Sequence, residues 1–120
     1  VGWPGLQNAM DRGWQFYQRA CFDGQGLPRS FAGKNCYLDS HAVAQAMATL
    51  QRFGALAQAR DVALFAIDPL FDQKSGVFYA GLGRFGKDRR GFMRWTQAWM
   101  VWALSIMIDK ETLGIGKQGR

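Results

Sequence analysis

The stretch Phe92-Met-Arg-Trp-Thr-Gln-Ala-Trp-Met-Val-Trp-Ala-Leu-Ser-Ile-Met-Ile108 constrains the fold more than any other. It contains no Gly or Pro and is apolar on nearly every face, interrupted only by Arg94, Thr96, Gln97 and Ser105. A helix apolar all round belongs inside a larger body. Arg94 and Gln97 lie three apart, so on an α-helix they share a face. Buried there, they need partners, because an unpaired buried charge is very costly. A shared ligand pocket supplies such partners, and so does an ion pair to another helix.

The rest of the chain reads as helices joined by long loops. Gly5 to Phe22 carries Leu6, Met10, Gly13, Tyr17 and Cys21 at helical spacing, and Asp23-Gly-Gln-Gly26 ends it. Residues 27–38 read as a loop. Asp39 or Ser40 can cap a second helix whose stripe is Val43, Ala46, Met47, Leu50 and Phe53, closed by Gly54. His41 and Gln45, four apart, share another face of it. A third helix, about Ala55 to Asp68, is expected to stop at Pro69. Asp72 to Gly76 is a turn, Val77-Phe-Tyr79 a short strand, Arg84 to Arg90 a basic loop, and residues 110–120 a mobile tail.

The two halves resemble each other: an Asp-then-Gly turn recurs after 49 positions, and Gln45 and Gln97 are 52 apart. A period near 50 built from helix pairs indicates stacked helical hairpins, here about 5–54 and 55–109. Such hairpins bury their faces only on one another, and three or more are normally needed. The expected fold class is therefore all-α, part of an (α/α) toroid with at most a short β-hairpin. The chain, which opens on Val1, is expected to be a fragment of a longer protein. In a ring, the polar turns would gather Asp39, His41, Gln45, Tyr79, Arg94 and Gln97 on one rim.

Asp39-Ser-His41-Ala-Val-Ala-Gln45-Ala, the Asp72–Gly76 turn with Phe78-Tyr79, and Met93-Arg-Trp-Thr-Gln-Ala-Trp-Met100 resemble a family of bacterial (α/α)-toroid, six-hairpin-glycosidase-like proteins often found in surface-polysaccharide gene sets. The resemblance spans most of residues 6–108. More distantly, Gln97-Ala-Trp99 after an arginine is similar to the Arg-Gly-Gln-Ala-Trp pattern of the unsaturated-uronyl hydrolases, with one residue more between Arg94 and Gln97. The terpenoid cyclases share the toroid, but their Asp-Asp clusters are absent here. The resemblance implies a carbohydrate ligand, a polysaccharide or its oligosaccharide precursor, neutral or uronate-containing.

The residue types suit that ligand. Gln45, Gln97, His41, Arg94, Tyr79 and Trp95 offer planar hydrogen-bonding groups and ring faces, and Arg94 suits a sugar carboxylate bidentately. Trp99 and Trp102, at helical spacing, read as core. Glycosidic hydrolysis usually uses two carboxylates. Asp39 is the first candidate, with Asp72 and Asp88 behind it, and Asp39 with His41 forms a candidate acid/base pair. Asp39 also reads as a plain helix cap. Hydrolase, lyase and epimerase chemistry all stay open.

The formal charge of +6 admits an anionic partner without choosing one. The basic loop with Phe85 offers charge and stacking for nucleic acid, though a solvated loop explains it more simply. Two cysteines are too few for a disulfide framework, and with one histidine a Cys/His zinc site is not expected. Free thiols in a reducing, cytoplasmic setting are expected, with no metal, no cofactor and no membrane span. The alternative function is a non-catalytic helical-repeat module that binds another protein.

Overall fold

Helix α2, Ser40–Arg52, is the element on which the others pack. It buries Val43, Ala44, Ala46, Met47 and Leu50 together with Ser40 and Gln51. Asp39, in extended conformation, caps it by accepting the His41 backbone N–H at 2.9 Å. The alanines keep one side of α2 low, so α3 and α4 both approach closely. Helix α3, Leu56–Leu70, contributes Ala59, Val62, Ala63, Ala66 and Leu70; helix α4, Ala98–Gln118, contributes Met100 and Ala103. Each fully buried Met, Leu or Val is worth about 1.5–3 kcal/mol relative to exposure.

The computed structural model describes residues 2–30 and 37–118, with side chains to Asp109. Cys36 lies outside the described residues, as do residues 119 and 120 of the expected tail; residues 110–118 are the continuation of α4. Helix α1, Leu6–Ala20, buries none of its residues. Its expected stripe holds only at the C-terminal end: Leu6 and Met10 are exposed, whereas Tyr17 and Cys21 meet the core, joined there by Trp14. Trp14 stacks on Phe53 at 4.5 Å, and Gln18 Nε2 donates to Gln58 Oε1 on α3 at 3.0 Å. Helix α3 passes through Pro69 and ends one residue later, so the proline closes the last turn from inside.

The expected all-α toroid of hairpins is overturned, because strands tie the two halves together. Strands β1 (Tyr37–Asp39), β4 (Gly81–Gly83) and β5 (Gly86–Asp88) form an antiparallel sheet in the order β1-β4-β5. Strands β2 (Phe71–Asp72) and β3 (Val77–Phe78) form a separate hairpin. The Asp72–Gly76 turn does close that hairpin, with Asp72 Oδ1 accepting the Lys74 N–H and Gly76 at φ 74°. The fold is thus mixed, four helices with two small sheets among the described residues.

The apolar stretch does not form a helix buried all round. It opens with a π-helical turn, Met93–Gln97, in which the Phe92 carbonyl accepts from both Thr96 N (2.9 Å) and Gln97 N (3.1 Å). Only Thr96, Met100 and Ala103 are buried, whereas Met93, Trp95, Val101, Trp102 and Ile108 face outward. The helix is therefore one-sided, and it runs on past Ile108 to Gln118. Among the described residues no helix is long and apolar enough to cross a membrane.

Candidate functional site

The three-stranded sheet lines up Asp39, Gly81 and Asp88 as successive cross-strand partners. Such partners share a face of the sheet, and two strand spacings put the Asp39 and Asp88 backbones about 9.5 Å apart. Tyr37, two residues before Asp39, shares that face. Its ring lies across the glycines of the central strand: a Cβ at Gly81 would sit 2.3 Å from the ring, and one at Gly83 3.2 Å from it. A side chain at Gly81 would displace the ring from this position, and one at Gly83 would crowd it.

Tyr37 Oη donates to Asp88 Oδ2 at 3.4 Å, and burial, then the Asp88 charge, raises its phenol above the ordinary value. Arg90 grips the same carboxylate, with Nε to Oδ1 at 2.9 Å and Nη2 to Oδ2 at 2.6 Å. Hydrogen bonding from Arg90 holds the Asp88 carboxyl down to about 2. Asp88 is therefore an anion at any working pH.

Tyr37, Asp39, His41, Asp88, Arg90 and Trp95 line a cavity of about 180 Å³. His41 Nε2 is buried with no hydrogen-bond partner, and its ring sits 5.4 Å from that of Trp99. Trp99 belongs to a second, larger space: a groove of about 760 Å³ between α1, α2 and α4, lined by Tyr17, Gln45, Thr49, Arg52, Phe53, Trp99 and Trp102. Trp99 and Trp102 meet edge to face at 5.4 Å. The His41–Trp99 contact joins the wall of the small polar cavity to the wall of the aromatic groove.

The structure separates the residues expected on one rim. Asp39, His41 and Trp95 line the small cavity, and Gln45 lies on the groove. Gln97 is occupied elsewhere: its Oε1 accepts the Phe78 N–H at 2.9 Å and its Nε2 donates to the Phe78 carbonyl at 2.6 Å. Tyr79 is buried, its carbonyl accepting from Ser40 Oγ and its ring facing Lys87 Nζ at 5.0 Å. Arg94 is exposed and lies outside both spaces.

Trp99, expected as core, is half-buried and packs against the core while also lining the groove, whereas Trp102, likewise expected as core, is a groove wall and 49% exposed. Tyr37 and Arg52 carried no sequence signal, and Arg90 only that of the basic loop. The one hint for Tyr37 was the Gly81-Leu-Gly83 pattern, which leaves room for a ring but does not say whose. Among the described residues no three His, Cys, Asp or Glu side chains converge as metal ligands. Cys21 is a free, half-buried thiol. Comparison with protein-family models, curated proteins and solved structures returned no match.

Proposed function

We propose that the protein binds a carbohydrate chain, a polysaccharide or its oligosaccharide precursor, along the Trp99–Trp102 groove and presents one sugar to the cavity of Asp39 and Asp88. The observation that supports this reading is the junction at His41 and Trp99, where aromatic faces meet a pair of acids. Ring faces cover the apolar side of a sugar, and Gln45, Thr49 and Arg52 give and accept hydrogen bonds at its edge. In hydrolysis, Asp39 and Asp88 fit the roles of the two carboxylates that flank the scissile bond. His41 and Tyr37 beside the carboxylates equally suit proton abstraction, as in lyases and epimerases. A cytoplasmic setting is part of this proposal.

The test is tryptophan fluorescence of the full chain against neutral and uronate-containing oligosaccharides, followed by assays for new reducing ends and unsaturated products. Trp102→Ala is expected to weaken binding about 10-fold, roughly 1.4 kcal/mol. Asp39→Asn should keep binding and lose turnover. Absence of binding to every sugar sinks the proposal, as does a Trp102→Ala variant that binds like the wild type.

One observation favours a second reading, a non-catalytic protein-interaction module. Leu64 and Phe65 on α3 and Val101 and Ile108 on α4 are all more than half exposed. Binding without turnover of any sugar, together with a protein partner lost in Leu64→Glu, would select it.

A further inference from the structure

A third space, of about 580 Å³, shares Tyr37 with the Asp39 cavity. It is lined by Asp23, Leu27, Pro28, Arg29, Tyr37, Leu38, Leu82, Gly83 and Arg84, so Tyr37 is a wall of both this space and the Asp39 cavity. From this geometry we infer that it is an oxyanion-binding site, taking a carboxylate, sulfate or phosphate group on Arg29 with Arg84 at the rim.

Arg29 is held in place by backbone. Its N–H donates to the Cys21 carbonyl at 2.8 Å, Phe22 and Pro28 form a bridge, and the Asp23 N–H donates to the Leu27 carbonyl at 2.9 Å. The loop between is stapled by Asp23, whose Oδ1 accepts the N–H groups of Gln25 (2.8 Å) and Leu27 (2.9 Å). Asp23 is thereby committed to its own turn. It makes no ion pair with Arg29, and among the described residues Arg29 has no side-chain partner at all. Arg29 Nε is buried with no acceptor.

A guanidinium whose inner N–H is out of reach of water and without an acceptor is poorly satisfied, because a buried donor left unpaired loses its hydration without recompense. Arg84, at the end of β4, is exposed, and its guanidinium lies 6.0 Å from the Phe85 ring rather than on a carboxylate. With Asp23 against two arginines, the lining keeps a net positive charge. A planar guanidinium in such a lining is suited to paired oxyanion oxygens. Resting on the carbohydrate reading, the shared wall at Tyr37 makes the ligand an acidic chain, with its charged substituent on a sugar neighbouring the one at Asp39. Arg94, expected to read that charge, is not in reach of either space.

The experiment follows the arginine Nε–H resonances of the whole chain by NMR while sulfate, glucuronate, a glucuronate-containing oligosaccharide and a neutral glucose oligosaccharide are added in turn. Sulfate and glucuronate are expected to move the Arg29 Nε–H saturably, and the neutral sugar to leave it still. Arg84→Gln should weaken the glucuronate response about 10-fold, and Arg29→Lys, which keeps the charge but loses the fork, should weaken it as well. Tighter binding of the glucuronate oligosaccharide than of free sulfate identifies a sugar-borne anion; the reverse identifies a free one and removes the acidic-chain assignment. An Arg29 resonance unmoved by every anion, a shift that only grows linearly with salt, or an unchanged response in both variants overturns the inference. Failure of the carbohydrate reading shows separately, as neutral and acidic oligosaccharides that leave tryptophan fluorescence unchanged while sulfate still moves Arg29.

Discussion

Gly81 carries more of the site than any residue with a side chain of its own. A Cβ there would reach within 2.3 Å of the Tyr37 ring. The ring is the outer part of a side chain that can swing, so the outcome of Gly81→Ala is displacement of Tyr37, not collapse of the sheet. We expect a stability loss of about 1–3 kcal/mol, the usual cost of overpacking, measured by urea unfolding. In a Tyr37→Ala background the same substitution should cost almost nothing, because the clash partner is gone; equal costs in both backgrounds would refute the packing argument. Asp88 supplies a second prediction. Its carboxyl, ordinarily at 3.8, is held down to about 2 by Arg90. A lowered folded-state value means that the pair's stabilisation is full above about 4 and is lost as pH falls toward 2. Arg90→Gln should return the Asp88 titration toward its ordinary value, followed by carboxyl-carbon NMR.

At the scale of elements, Gln97 joins the π turn to β3 through both faces of its amide. Gln97→Ala strands the Phe78 N–H and carbonyl in a part-buried setting and should cost about 2 kcal/mol, read from the shift in unfolding midpoint. Helices were legible in the sequence where propensity, spacing and caps agreed. Asp39 caps α2 as its position suggested, and the stripe Val43, Ala46, Met47, Leu50 is buried. Of the strands, β3 was legible as Val77-Phe-Tyr79, but the three-stranded sheet was not: β1, β4 and β5 are three residues each, too short for alternation to show, and β1 pairs with a partner more than forty positions away. The rim of expected ligands failed for a local reason. Arg94 and Gln97 share a face in an α-helix, but the doubly accepting Phe92 carbonyl marks a wider turn that sends them apart. Asp39, His41 and Trp95 do converge, although the companions that complete their cavity come from strands the sequence did not reveal.

The whole molecule leaves much apolar surface uncovered. Leu64, Phe65, Val101 and Ile108 are all more than 60% exposed, on helices whose opposite faces fill the core. Large apolar side chains exposed in this way are candidates for interaction surfaces or association hazards. Leu64→Glu with Phe65→Lys should shift stability by less than about 0.5 kcal/mol while reducing binding of a hydrophobic dye and self-association in sedimentation. A large stability loss would place those side chains in the core. The pairing of Tyr37–Asp39 with Gly81–Gly83 also sets a schedule for synthesis. A nascent chain that has made α2 and its cap still has only one wall of the cavity, because the other walls are the last strands and the turn before α4. Closing that long loop must be paid for in chain entropy before any cross-strand contact forms. The ribosome therefore releases the ingredients of the site early and its geometry late, and a chain arrested before Asp88 would carry Asp39 and His41 with nothing to face.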